Sequence, residues 1–338
     1  MEFKENFSLK SLNTFGINTY CHYYTEFENI NALKNILEHP LAKQNKKLVL
    51  GGGSNILFTK DFDGLVVKNN ILGIEKIKED ENSVYLKAGA GVNWHSFVMY
   101  CIENNLAGVE NLSLIPGNIG ASPIQNIGAY GVEVKDVIEC VLGIFIEDLS
   151  EFSLTNSECN FSYRESIFKH ELKNKAIITH VVYRLNKTPK FNTSYSAIEQ
   201  ELEKMGVRDL SIKAISEAVI NIRRSKLPNP AEIGNAGSFF KNPTIDKTTF
   251  DNLKTQFPEI PNYPQNDGSV KLAAGWLIEQ CGWKGFRKDD FGVHKLQALV
   301  LVNYRNAKGS DIYRLSEDIL QSVFNKFGVR LEREVNII

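Results

Sequence analysis

Between residues 112 and 131 the chain reads Leu-Ser-Leu-Ile-Pro-Gly-Asn-Ile-Gly-Ala-Ser-Pro-Ile-Gln-Asn-Ile-Gly-Ala-Tyr-Gly, twenty residues without a single charge. That length and apolarity suit a membrane span. Four glycines, two prolines, two serines, two asparagines and a glutamine interrupt it, however, and no continuous apolar helix can form from such a run. A long stretch without regular structure inside a globular chain is usually functional. Gly117, Gly120, Gly128 and Gly131 let backbone N–H groups approach a ligand closely, and loops of this kind cradle phosphates without cationic side chains. The expectation is a fold organised around a cofactor loop.

At 338 residues the chain can bury a sizeable core and divide into two or three domains. Its 43% hydrophobic and 23% charged content are ordinary for a globular protein. A net charge of -1 gives no general attraction for nucleic acid or an anionic membrane, so neither is expected as a partner. Cys21, Cys101, Cys140, Cys159 and Cys281 are scattered, odd in number and without a Cys-x-x-Cys pair, which fits neither a disulfide scaffold nor a metal site. The six histidines are equally dispersed, and no metal is expected. The start Met-Glu-Phe-Lys-Glu-Asn has no apolar signal core, and with the cysteine pattern this points to the cytoplasm.

Periodicity predicts strands at 20–27, 47–50, 56–58, 65–67 and 84–86, and helices at 29–37 and 94–103. The 47–50 strand runs directly into Gly51-Gly52-Gly53-Ser54-Asn55, a glycine turn that lacks the lysine of a P-loop and the following helix of a dinucleotide fingerprint. Further on, 141–146 and 176–185 read as strands and 212–225 as a helix. Pro228-Asn229-Pro230 marks a boundary, and 234–243 is a third glycine-bearing polar loop. Ser238 in that loop lacks the nucleophile-elbow pattern, which disfavours a hydrolase. The remainder predicts a helix at 272–281, a strand at 298–303, and a helix at 310–327 capped by Ser310 and ended by Gly328. A short strand at 331–335 closes the pattern.

Asn13-Thr14-Phe15-Gly16, the 51–55 turn, the 115–131 loop, Tyr163-Arg164, the 234–243 loop and 331–335 occur in one order along nearly the whole chain. Together they resemble the UDP-N-acetylenolpyruvoylglucosamine reductases, in particular the longer class with a tyrosine-bearing segment around Tyr195. The resemblance implies an α+β protein. A two-lobed FAD-binding domain of the PCMH, vanillyl-alcohol-oxidase-like type would span 1–223, with lobes at about 1–72 and 73–223. A C-terminal α+β substrate domain would span 224–338, its last strand carrying Glu334 into the active site.

It further implies non-covalent FAD held at Gly51, Gly52, Gly53, Ser54 and Asn55 and along the long loop. There the matching positions are Pro116, Gly117, Gly120, Ala121 and Ser122, followed by Gln125, Asn126, Gly128, Tyr130 and Gly131. The activity implied is reduction of UDP-N-acetylglucosamine enolpyruvate with NADPH, a cytoplasmic step of peptidoglycan precursor synthesis, carried out by a monomer. Arg164 matches the family's arginine, whose planar fork fits a carboxylate. Ser238 matches its proton donor and Glu334 the glutamate that polarises the enolic carboxylate. Tyr195, Lys226, Asn242 and Gln297 match positions that bind the UDP-sugar. Two alternatives stay open: a flavin oxidoreductase acting on another substrate, and a non-catalytic flavin or nucleotide-sugar binding module. The 234–243 loop with Lys226 weighs against the first, and the joint presence of Arg164, Ser238 and Glu334 against the second.

Overall fold

The computed structural model describes residues 2–338. They form two compact units: residues 2–7 with Cys21–Gly52 and Asp63–Ser225, and Ser8–Tyr20 with Gly53–Phe62 and Lys226–Ile338. The resemblance implied an FAD-binding domain at 1–223, with lobes at about 1–72 and 73–223, and a substrate domain at 224–338. In the structure the first unit's chain runs to Ser225, and the segments 8–20 and 53–62 belong with the C-terminal residues.

The first unit holds two sheets. One has the strand order Lys4–Ser8, Tyr20–Phe27, Phe62–Asn69, Lys47–Leu50, its last two strands parallel. Leu65, Val66 and Val67 are all fully buried, as expected of a strand covered on both faces. Helix Ile30–Glu38 packs Leu33, Ile36 and Leu37 into the same core as Leu65 and Val67, and the Asn29 side chain caps it by accepting from the Ala32 N–H.

The second sheet has five strands in the order Glu151–Thr155, Ile138–Phe145, Ala176–Asn186, Ser83–Gly89, Ile74–Glu79. Helix Trp94–Glu103 lies in its core because Trp94, Phe97, Val98, Cys101 and Ile102 share an apolar face. Asn93 caps it through the Ser96 N–H at 3.0 Å, and the Trp94 indole N–H bonds the Leu112 carbonyl at 2.9 Å. That bond ties the start of the long loop to a rigid helix. A helical hairpin, Ser196–Lys204 and Ile212–Lys226, packs around Ile198, Ile215 and Val219.

The second unit carries an antiparallel sheet of Gly234–Ser238, Val300–Asn303, Phe291–Val293 and Arg287–Lys288. A three-stranded sheet and helices Lys247–Gln256, Ala274–Gln280 and Gly309–Phe327 complete it. The C-terminal strand Asn336–Ile337 pairs in parallel with Ile56–Leu57, and the Thr14 hydroxyl bonds the Asn235 carbonyl at 2.6 Å. These bonds explain why two N-terminal segments join this unit.

Several expectations need correcting. The 310–327 helix begins at Gly309 with no side-chain cap, not at a Ser310 cap. A Cβ on Gly309 would stand 1.7 Å from the Phe58 carbonyl oxygen, so the helix start is set by a backbone approach that only glycine permits. Of 272–281, Leu272 ends a strand and the helix is Ala274–Gln280. Residues 331–335 make only a single bridge, Phe240 to Arg333, before the ladder at Asn336–Ile337. No helix among the described residues is long and apolar enough to cross a membrane.

Candidate active site

In the first unit the turn after Lys47–Leu50 lies against the long loop. A Cβ on Gly52 would come within 3.0 Å of the Gly117 Cα and 2.9 Å of the Asn118 Oδ1, so the two segments touch only because residue 52 is glycine. The loop is anchored behind this contact. The Trp94 N–H donates to the Gly117 carbonyl at 2.9 Å, the Ile119 and Gly120 N–H groups donate to Val92 and Ala90, and Asn118 Nδ2 donates to Gly91 O at 2.8 Å. Residues 119–121 form one 3₁₀ turn, and Gly128–Ala129 pairs with Val132–Glu133. Among the described residues, the N–H groups of Gly52, Gly117 and Asn118 donate to no acceptor. Adjacent, rigidly held N–H donors of this kind suit the oxygens of a diphosphate, which is the group an FAD places at such a loop.

Other loop residues are already engaged. Ser122 is buried, with its hydroxyl 2.8 Å from the Ile119 carbonyl and 2.8 Å from the Tyr183 hydroxyl. Buried Asn126 donates to Glu133 and to the Ser162 carbonyl, and accepts from the Lys135 N–H. Their side chains hold the loop's shape, and the Gly117 and Asn118 N–H groups are left for a ligand. Pro116 and Ala121 are exposed, and Gln125 is half-buried.

Arg164 closes this arrangement. Its Nη2 donates to the Gly128 carbonyl at 2.7 Å and its Nη1 to the Asn126 carbonyl at 3.2 Å, while the guanidinium lies 5.1 Å from the Tyr163 ring centroid. The residue has φ 59, a left-handed conformation uncommon outside glycine, so its direction is imposed by the surroundings. Tyr195 is 45% exposed at the start of helix Ser196–Lys204, with its ring edge-on to Tyr130 at 5.4 Å.

Two residues here escaped the sequence reading. Asn111 is buried and donates to the carbonyls of Tyr130 at 3.1 Å and Asn192 at 2.9 Å, stitching the long loop to the segment before Tyr195. Arg223 bonds the Tyr130 side chain, its Nε has no partner, and burial pulls its pKa below the usual arginine value. Neither residue belongs to a motif, and no spacing signal marks them.

In the second unit the structure brings Ser238 beside Glu334. The Glu334 N–H donates to the Phe239 carbonyl at 2.8 Å and the Lys241 N–H to the Glu332 carbonyl at 2.9 Å, so 332–334 runs antiparallel to 239–241. The 234–238 segment is a strand where a loop was expected, and a bulge between Asn235 and Ser238 breaks its pairing with Val300–Asn303. Gly237 sits at φ 70, its N–H on Asn235 Oδ1 at 3.0 Å, and such a bulge re-aims the residue that follows it. Phe239 and Phe240, fully buried, anchor the strand beyond. The half-buried Ser238 hydroxyl makes no hydrogen bond among the described residues. Asn55 Nδ2 donates to the Glu334 carbonyl at 3.2 Å, which places the end of the 51–55 turn at the same segment. Ser54 beside it is half-buried, and Gly53 holds the turn with φ 63.

Asn242 and Gln297 meet at one place. Asn242 Oδ1 accepts from the Ala274 N–H at 3.0 Å, and Gln297 Oε1 lies 3.2 Å from where a Cβ on Gly275 would stand. Lys226, the last residue of helix Ile212–Lys226, is exposed. No group of three or more His, Cys, Asp or Glu residues suited to a metal ion occurs among the described residues.

Residues 22–145 match the FAD binding domain model, and residues 229–338 match the model of the UDP-N-acetylenolpyruvoylglucosamine reductase C-terminal domain. The UDP-N-acetylenolpyruvoylglucosamine reductase of Amoebophilus asiaticus is 54% identical over 338 residues, covering 100% of both chains. That of Flavobacterium johnsoniae is 50% identical over 339 residues, again covering 100% of both. A solved structure, the UDP-N-acetylenolpyruvylglucosamine reductase of Thermus caldophilus, aligns with a TM-score of 0.68 at 22% identity, covering 99% of this chain and 98% of that one, a likeness of fold. On its sequence relatives, the chain belongs to the UDP-N-acetylenolpyruvoylglucosamine reductase family.

Proposed function

We propose that this chain reduces UDP-N-acetylglucosamine enolpyruvate to UDP-N-acetylmuramate with NADPH, in peptidoglycan precursor synthesis, acting as a cytoplasmic monomer. Residues 1–223 serve the flavin and 224–338 the sugar nucleotide. The unpaired N–H groups of Gly52, Gly117 and Asn118 suit the FAD diphosphate. When bound, FAD supplies the two-electron carrier between NADPH and the methylene carbon of the enolpyruvyl ether.

The chain's own residues do the rest. Hydride arriving at the methylene carbon pushes negative charge through the adjacent carbon onto the carboxylate, and catalysis requires groups aimed at that charge. Arg164 fits the carboxylate with its planar fork, already oriented by the Gly128 and Asn126 carbonyls. The Ser238 hydroxyl gives its proton to the carbon next to the carboxylate, which restores a saturated centre and balances the hydride. Serine is a weak acid, so this transfer proceeds in concert with charge build-up on that carbon. Glu334 polarises the enolic carboxylate from the segment paired with 239–241. Tyr195, Lys226, Asn242 and Gln297 hold the UDP-sugar, with Tyr195 on the segment characteristic of the longer class.

The observation that carries this reading is the unpartnered Ser238 hydroxyl on a bulged strand, with Glu334 on the neighbouring segment. The test is spectroscopic. The purified protein is expected to be yellow, to bleach with NADPH, and to regain colour on addition of the enolpyruvyl substrate. Recolouring by oxygen alone, with none by the substrate, favours a flavin oxidoreductase of different specificity. A colourless protein favours a binding module.

A further inference from the structure

Lys68 lies on strand Phe62–Asn69, opposite Leu50 in the parallel ladder that leads into the 51–55 turn. Its Nζ donates to the Gly51 carbonyl, and Glu26, held by the Tyr24 hydroxyl and Asn70 Nδ2, is the charge that acts on it. Burial lowers the lysine pKa below its usual value. A half-buried ammonium turned onto one main-chain carbonyl is costly to desolvate. Its worth lies in which carbonyl it holds.

In a planar trans peptide the carbonyl and the following N–H point in opposite directions. Holding the Gly51 carbonyl therefore fixes where the Gly52 N–H points. A peptide between two glycines is the one most free to turn over, because neither residue has a Cβ to restrict it. The Gly52 N–H has no acceptor among the described residues, and Gly52 touches Gly117, whose N–H is equally unpartnered.

We propose that Lys68 is a positioning residue for the cofactor's diphosphate: through the Gly51 carbonyl it locks the Gly51–Gly52 peptide so that the Gly52 N–H is turned outward as a phosphate donor. The assignment rests on the reading that the FAD diphosphate lies along Gly52, Gly117 and Asn118.

The test compares full-length holoenzyme of the wild type, Lys68→Met and Lys68→Arg. Each is diluted, and FAD release is followed by the rise of free flavin fluorescence. ADP, which carries the diphosphate without the flavin ring, is then titrated as a competitor of rebinding. Lys68→Met is expected to weaken FAD and ADP by the same factor, about 10-fold to 100-fold, the worth of one hydrogen bond to a charged group. Lys68→Arg, which keeps a donor, should stay within about threefold of wild type for both. With FAD in equal excess, the melting temperature of Lys68→Met should fall below the other two by no more than its weaker FAD binding accounts for. Wild-type FAD affinity in Lys68→Met overturns the proposal. So does weakened FAD binding with unchanged ADP competition, since Lys68 would then act on the ring end or on the fold. A wild-type protein that purifies without flavin overturns the cofactor reading itself, and the proposal with it.

Discussion

Replacing Arg164 by lysine keeps the charge and removes the fork. In the structure two guanidinium nitrogens are committed to carbonyls of the long loop, at 2.7 Å to Gly128 and 3.2 Å to Asn126, and the plane lies 5.1 Å from the Tyr163 ring centroid. A lysine ammonium lacks the two separate, planar nitrogens that reach these carbonyls, and the variant is expected to lose one of the two bonds. A hydrogen bond to a charged group is worth about 1.5–3 kcal/mol, and the cation–π contact at a partly exposed site about 0.5–1 kcal/mol. Arg164 is half-buried, so the lower end applies, and the variant should lose about 2 kcal/mol of stability. Urea unfolding with FAD bound should show this as a lower midpoint at unchanged slope. Rapid mixing should show NADPH bleaching the flavin at the wild-type rate, with reoxidation by the enolpyruvyl substrate about 10-fold to 100-fold slower, because the carboxylate loses bidentate recognition. An unchanged urea midpoint refutes the view that the loop carbonyls hold the guanidinium. A lower midpoint with normal reoxidation makes Arg164 a brace for the loop and nothing more.

Further expectations concern the substrate segment and pH. Tyr195→Phe should raise the Michaelis constant for the UDP-sugar by the worth of one hydrogen bond to a charged group, about 10-fold to 100-fold, with a smaller effect on turnover; a normal constant shows that this hydroxyl does not reach the substrate. Burial first, then the charges of Arg224 and Arg223, lower the His95 pKa, and the ring's Nδ1 accepts the Leu114 N–H at 3.0 Å, so the neutral form belongs to the folded state. His180 and His294 are lowered mainly by burial as well. The unfolded chain then binds protons that the folded one refuses. Stability is therefore full above the usual histidine value of 6.5 and falls as pH drops below it. Denaturant midpoints between pH 7.5 and 5 check this, and His95→Gln should flatten the slope.

The parts of the fold legible in the sequence were those written in local periodicity. Helix Trp94–Glu103 has its apolar face and its Asn93 cap within eleven consecutive residues, and strand Phe62–Asn69 announces itself through Leu65, Val66 and Val67. Ser310 misled because Gly309 starts its helix against the distant Phe58 carbonyl, a constraint that no window around 310 contains. The same holds for the second unit's N-terminal segments, joined to it by the Thr14–Asn235 bond and the Ile56–Leu57 ladder. For the site, the motifs pointed to Arg164, Ser238 and Glu334 one at a time. Only the structure gives the bulge at Ser238 and the pairing of Glu334 with Phe239. Lys68, Asn111 and Arg223 belong to no motif, and their partners lie elsewhere in the chain, so spacing carried no trace of them.

Ser238→Ala separates the two half-reactions and tests the proposed chemistry most directly. Removing one hydroxyl that makes no hydrogen bond among the described residues should leave folding and FAD content as they are. Flavin bleaching by NADPH in a stopped-flow instrument should run at the wild-type rate, since that step takes no proton from Ser238. Reoxidation by UDP-N-acetylglucosamine enolpyruvate needs a proton at the carbon beside the carboxylate, and should slow by about 10²–10⁴-fold, the usual contribution of a positioned general acid. Loss of both half-reactions to the same degree, or reoxidation at the wild-type rate, contradicts Ser238 as the proton donor.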